Sequence, residues 1–363
     1  MFYIFLNLLF VSLSIGLYFN AIFEFFGFYL FDLNIFLIFV YSLFKIKYKN
    51  RKFNLIFGLF IAYLLILLLL NTKLLFGLNS ILYLVRLAVY VYSYPFFIFL
   101  ISNFIKYKKT VNFYLVLSLI TNLLVFFIYP NLNVKGFDPH INRLYGQLLD
   151  PNYYGVLCVF IIHYALNSFK NNRKLSIFLI FLCTLSIYLT FSRLAFIGFI
   201  LVLLLNYKKI KYPEFGYMAF FVSILFFLNF NFLSRFLFIE GNFDSFFYRI
   251  LNFVDALIIY NSSLLPFGFN NIASHTYFLT SNINNASSYF DFFAFNLLLS
   301  GGLIFVLVFS LFVTYASKSL KTEYKIPLFL LIALSFGMNI FFSPYFLLIF
   351  VLIVAKVLNT NKS

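Results

Sequence analysis

A chain of 363 residues that is 64% hydrophobic and only 10% charged has too few polar groups to cover a water-facing surface, which excludes a soluble globular domain. The formal net charge of +16 is carried largely by short basic clusters between apolar runs, a distribution that excludes a nucleic-acid binder. What remains is an all-α integral membrane protein, read as one polytopic domain over 1–363.

The basic clusters lie at 45–52, 106–109, 170–174, 208–211 and 318–325, with Lys356 and Lys362 near the end. Loops so rich in Lys and Arg are cytoplasmic by the positive-inside rule. The apolar stretch between two of them must leave the cytoplasm and return, so each interval holds a pair of spans. The expected pairs are 2–19 and 26–44, 53–70 and 81–104, 111–129 and 151–169, 175–190 and 194–207, 213–230 and 290–316, and 326–340 and 345–357. The fold is thus about 12 transmembrane helices with both termini cytoplasmic. The stretch Phe2–Tyr18 has no basic start and no small-residue cleavage site, and is kept as the first span. Cys158 and Cys183 fall inside spans and read as small hydrophobes, with no disulfide or metal role.

Outward loops then fall at 71–80, 130–150, 191–193, 231–289 and around 343–344, and only 130–150 and 231–289 are long enough to build much. The stretch 175–207 is too long for one span and has one polar interruption, Ser192-Arg193. An arginine at the bilayer centre costs several kcal/mol, so a tight outward turn is the cheaper solution. The most informative stretch is Ile141–Gly155, INRLYGQLLDPNYYG, where Asp150-Pro151-Asn152 predicts a helix start with Asp as N-cap and Pro in the first turn.

Basic residues outside the clusters are Lys73, Arg86, Lys135, Arg143, Arg193, Arg235 and Arg249, mostly arginine, whereas the clusters hold only Arg51 and Arg173 among their lysines. Topology needs positive charge alone, but bidentate binding of phosphate or carboxylate needs the planar guanidinium fork. The outer face is therefore expected to hold an anion. Helices starting near Asp150 and Ser192 would turn their positive dipole ends to the same face, beside Arg143 and Arg193. Arg86 lies within a span, either snorkelling outward or facing a polar cavity.

In the loop 231–289, SFFYRILNFVDALIIY places Arg249, Asn252 and Asp255 on one side of an apolar helix, the pattern of an amphipathic helix in the outer interface. His140 and His275 are the histidines outside the spans, and His275 is the first choice as base. His163 is read as structural. Glu240 and Asp244 are alternative acids, and Asp291 is a helix-start charge or an arginine partner.

RLYGQLLDPNYYG, followed some forty residues later by LTFSRLAFIGF and finally by SSYFDFFAFNLLLSGGLIF, resembles the O-antigen ligase and polymerase family of bacterial polysaccharide assembly. In that family an Arg-x-x-Gly, Pro-Asn segment precedes a Thr-x-Ser-Arg turn and a large outward loop. The likeness covers about Arg143 to Phe305. This chain has Leu194 where members carry a small residue, and His275 stands about eleven residues before the usual histidine position.

The resemblance implies a bacterial plasma-membrane glycosyltransferase with its active face periplasmic or extracellular, needing no nucleotide sugar, cofactor or metal. Its substrate would be a glycan on a polyprenyl diphosphate in the membrane lipid, transferred to an acceptor hydroxyl, with a chain-length regulator and a flippase as partners. The diphosphate is assigned to Arg143, Arg193 and Arg249, with Arg86, Arg235 and Asn152 in support, and the catalytic set is His275, Arg249 and Arg193. A polymerase of O-antigen, capsule or exopolysaccharide repeat units is the first expectation, an O-antigen-type ligase the alternative, and a lipid-linked glycan flippase or transporter a further one.

Overall fold

The computed structural model describes residues 2–15, 30–46, 50–70, 77–128, 143–148, 150–169, 171–207, 216, 266, 293–335 and 343–360. Among these every regular element is helical: α1 (Phe2–Ile15), α2 (Leu30–Lys45), α3 (Arg51–Leu70), α4 (Gly77–Tyr92), α5 (Tyr94–Ser102), α6 (Phe104–Ile128), a 3-10 turn (Gly146–Leu148), α7 (Pro151–Ser168), α8 (Arg173–Thr190), α9 (Arg193–Leu205), α10 (Phe293–Ser319), α11 (Thr322–Leu334) and α12 (Pro344–Thr360). The expected span at 213–230 and the expected amphipathic helix in 231–289 lie outside the described residues.

Among the described residues five helices are long and apolar enough to cross a membrane: Arg51–Leu70, Ile81–Ser102, Phe104–Ile128, Arg173–Thr190 and Ser300–Ser319. They leave much apolar surface uncovered. On α3 alone Leu55, Ile56, Leu59, Ile66, Leu69 and Leu70 are exposed. A stripe of that kind is unstable against water and ordinary against lipid tails, as befits a membrane protein. Within the span Ile81–Ser102, which matches the expectation of one span over 81–104, the helix has a turn at Ser93. Its hydroxyl donates to Tyr90 O at 2.6 Å, and Pro95, which has no N–H to give, stands in the first turn of α5.

The chain forms two compact units, one of residues 1–37 with 103–242 and one of 38–102 with 243–363. In the second, α12 packs on α4, α5, α10 and α11, and α3 packs on α4 and α10. The helical path of α10 breaks at Gly302 (φ 63, ψ −162), and the Tyr63 hydroxyl donates to Gly301 O at 2.9 Å. Phe60 meets Phe305 edge to face beyond the break, with centroids 4.8 Å apart.

In the first unit α7 lies against both α8 and α9, α6 packs on α1 and α8, and the 3-10 turn touches α1, α6 and α7. This position explains why α7 is less apolar than its neighbours. Its polar residues are used inside the protein: the His163 ring nitrogens lie 2.9 Å from Asn167 Nδ2 and 3.3 Å from Asn206 Nδ2, and the Tyr164 hydroxyl donates to Asn112 Oδ1 at 2.6 Å. Cys158 and Cys183 are both buried free thiols.

Gly155 sets the distance between α7 and α9. A Cβ there would stand 2.5 Å from Ala195 Cβ and 3.1 Å from Thr190 Oγ1. Replacing Gly155 with Ala is expected to destabilise the protein by about 1–3 kcal/mol through overpacking. The added change Ala195→Gly should recover part of that loss, read as the thermal midpoint of the full chain in detergent.

Candidate functional site

The site is built on how α8 ends. Thr190 is 0% and Ser192 1% exposed, so the last carbonyls of the helix finish inside the protein, where water is not at hand to bond them. Phe191 terminates the helix in the left-handed conformation (φ 49), a rare one for an aromatic residue, and its own N–H turns back to Tyr188 O at 3.2 Å. The following carbonyls take donors from a distant segment. Leu144 N donates to Leu189 O at 2.9 Å, and Arg143 donates Nε to Thr190 O at 2.7 Å and Nη2 to Phe191 O at 3.4 Å. A cation against the negative end of a helix dipole is favoured electrostatically as well as by its hydrogen bonds.

The turn that ends α8 begins α9. The Ser192 hydroxyl accepts from Ala195 N at 3.2 Å as N-cap, and donates to Asn152 Oδ1 at 2.8 Å. Asn152 belongs to the first turn of α7, so this bond ties two helix N-termini side by side. Asp150 is the N-cap of α7 and accepts from Asn152 N at 2.7 Å and Tyr153 N at 3.1 Å, as the Asp-Pro-Asn sequence predicts. The two ends are not electrostatically alike. A fixed carboxylate already compensates the dipole of α7, whereas a neutral hydroxyl caps α9, with Arg193 as its first residue.

Arg143–Leu148 is buried along its whole length. Gly146 adopts φ 62 over the Tyr154 ring, where a Cβ would fall 2.3 Å from the ring carbon Cγ. Gln147 Oε1 accepts from Asn122 Nδ2 at 2.7 Å and from the Ser118 hydroxyl of α6. Ser118, Asn122 and Gln147 were not selected from the sequence, and neither were Thr190 or Tyr154. The available signal was Ser118 and Asn122, polar residues four apart and hence on one face of an apolar helix.

Of the residues assigned from sequence, Arg143, Asn152 and Arg193 come together in the first unit. Arg143 is only 6% exposed and faces the end of α8, while Asn152 and Arg193 are half-buried at the two helix starts. Arg86 belongs to the second unit, half-buried on α4 with its guanidinium 5.1 Å from the Tyr83 ring centre. Arg235, Arg249 and His275 lie outside the described residues, as do His140, Glu240, Asp244 and Asp291. Among the described residues no three His, Cys, Asp or Glu side chains gather as metal ligands would.

No family model, curated protein or solved structure matches the chain.

Asp150→Ala removes the acceptor of two N–H groups and is expected to cost about 1 kcal/mol, whereas Asp150→Asn or Asp150→Ser should cost only a few tenths. Thermal midpoints of the three variants in detergent check the order.

Proposed function

We propose that the chain is a polymerase of polyprenyl-diphosphate-linked oligosaccharide repeat units, of the O-antigen, capsule or exopolysaccharide kind. It would work at the outer face of a bacterial plasma membrane, through twelve spans with both termini cytoplasmic. One observation carries this reading: Arg193 opens α9 behind a neutral Ser192 cap, in a buried turn tied to the adjoining start of α7 by the Ser192–Asn152 bond. Arg193 lies in LTFSRLAFIGF and Asn152 in RLYGQLLDPNYYG, two of the three segments that resemble the polysaccharide polymerases and ligases.

The chemistry asks for such an arrangement. An acceptor hydroxyl oxygen attacks the anomeric carbon of the lipid-linked glycan, a new glycosidic bond forms, and the bond to the diphosphate oxygen breaks. The leaving diphosphate gains negative charge as that bond lengthens. Guanidinium groups and N–H dipoles fixed in advance bind the transition state better than the ground state. Arg193 takes the diphosphate; Arg235, Arg249 and Arg86 are the sequence's further candidates for it. His275 accepts the proton of the acceptor hydroxyl. A ligase would use the same donor chemistry on a different acceptor.

A transporter of the same lipid-linked glycan is the second reading, favoured by the break in α10 at Gly302, since broken helices line transport sites. Against it, the carbonyl of Gly301 at that break already accepts from Tyr63.

Glycan length on gels tests the proposal, with membrane levels of each variant checked. Arg193→Ala, Arg249→Ala and His275→Ala should each collapse the ladder to a single repeat unit on its normal acceptor, with polymerisation slowed by about 10²–10³-fold. Long glycan that stays on the lipid carrier identifies a ligase. An unchanged ladder in all three removes the arginine site.

A further inference from the structure

We infer that Arg143 is a positioning residue, which holds the turn carrying Arg193, rather than a ligand of the substrate anion. The inference rests on the polymerase reading for what Arg193 binds, and on the geometry alone for what Arg143 does.

The tight turn between α8 and α9 has no glycine. It passes from Thr190 through Phe191 in the left-handed conformation to Ser192, a path that a non-glycine residue adopts only when its surroundings impose it. Those surroundings are the donors of one segment. Tyr188 O, Leu189 O, Thr190 O and Phe191 O are four consecutive carbonyls at the end of α8. The first is bonded by the turn's own amide, the second by Leu144 N, and the last two by the Arg143 guanidinium. The Arg143 side chain is 6% exposed. Its Nε and Nη2 are thus engaged on backbone oxygen, at the negative end of a helix dipole and inside the protein.

Two residues after the last of those carbonyls, Arg193 begins α9. The direction in which α9 starts, and so where the Arg193 guanidinium can reach, depends on the Phe191 and Ser192 dihedral angles that Arg143 stabilises. Ser192 adds a second tie through Asn152. An anion that took those two donors would leave Thr190 O and Phe191 O without them, which costs most at the buried Thr190 O. Arginine is the suitable type at 143 because one planar fork spans two successive carbonyls, whereas lysine offers a single point of donation.

The test is amide hydrogen exchange by mass spectrometry on the full-length protein in detergent, run beside the glycan ladder in cells. Arg143→Ala should speed exchange at Leu144, Phe191, Ser192 and Ala195 by about ten- to hundredfold, the effect of losing a charge-assisted bond on local opening. It should also shorten the glycan. Arg143→Lys should restore only part of the protection and part of the chain length, since a lysine can still donate to Thr190 O but does not span Phe191 O as well. Arg193→Ala should shorten the glycan without changing exchange at the turn. If Arg143→Ala does not reach the membrane, Arg143→Gln, with a neutral amide on a shorter side chain, carries the comparison against Arg143→Lys.

Unchanged exchange in Arg143→Ala alongside a collapsed ladder would show that Arg143 acts on substrate, which overturns the inference. Faster exchange with a normal ladder, when Arg193→Ala does shorten the glycan, overturns it as well, because the turn would then not govern the site. Faster exchange with a ladder that neither arginine affects leaves Arg143 as the holder of the turn and removes the polymerase reading instead.

Discussion

The first unit depends on one constraint: α8 ends where water does not reach. Each carbonyl of its last turn needs a donor from the protein, and a buried carbonyl left unpaired costs about 1–3 kcal/mol. Arg143 supplies donors from 47 residues before Thr190, and Leu144 N, beside it in the same segment, bonds Leu189 O. To do so the backbone of 143–148 must itself lie in the interior, which is tolerated in a membrane protein only where neighbouring helices shield it from lipid. The Ser118 and Asn122 bonds to Gln147 and the seat of Gly146 on Tyr154 meet that requirement.

From the same constraint follows the character of α7. A helix that faces lipid must be apolar all round its exposed surface, but one enclosed by α8, α9 and the 143–148 segment is free to carry amides, a histidine and tyrosines whose partners sit on its neighbours. Tyr164 with Asn112 and Asn152 with Ser192 are such pairs. Gly155 lets α7 and α9 approach until Cα of one helix meets the Ala195 methyl of the other, so their N-termini stand together rather than a side chain apart. The burial that makes α7 less apolar is also what brings the Asn152 and Ser192 ends into register.

The sequence made the local features legible and left the distant pairings hidden, for a physical reason. Asp150-Pro151-Asn152 announces a helix start because an N-cap acts within three residues. The Ser192-Arg193 turn is readable from energy alone, since no lipid-buried arginine would be stable mid-span. Pro95 marks the turn at Ser93 between α4 and α5, while the apolar run around it carries the single span Ile81–Ser102. Arg143 shows the opposite case. Its residue type announces a donor fork, but a carbonyl pair and a phosphate present similar oxygens, and only the fold determines which lies within reach. Ser118 and Asn122 mark a polar face on α6, while their shared partner Gln147 lies 29 and 25 residues away.

Charge at the two paired helix starts has a further consequence for any anion that binds there. From composition alone both N-termini look equally positive, each an assembly of N–H groups at the head of a dipole. Asp150 breaks that equivalence. Its carboxylate accepts the first amides of α7, lies in the very position an anion would take, and repels a second negative charge nearby. Ser192 caps α9 without charge, so that end keeps its positive character and adds the Arg193 guanidinium to it. An anion approaching the pair would therefore be drawn towards α9 and away from α7, because the capping carboxylate of α7 already fills the place it would take.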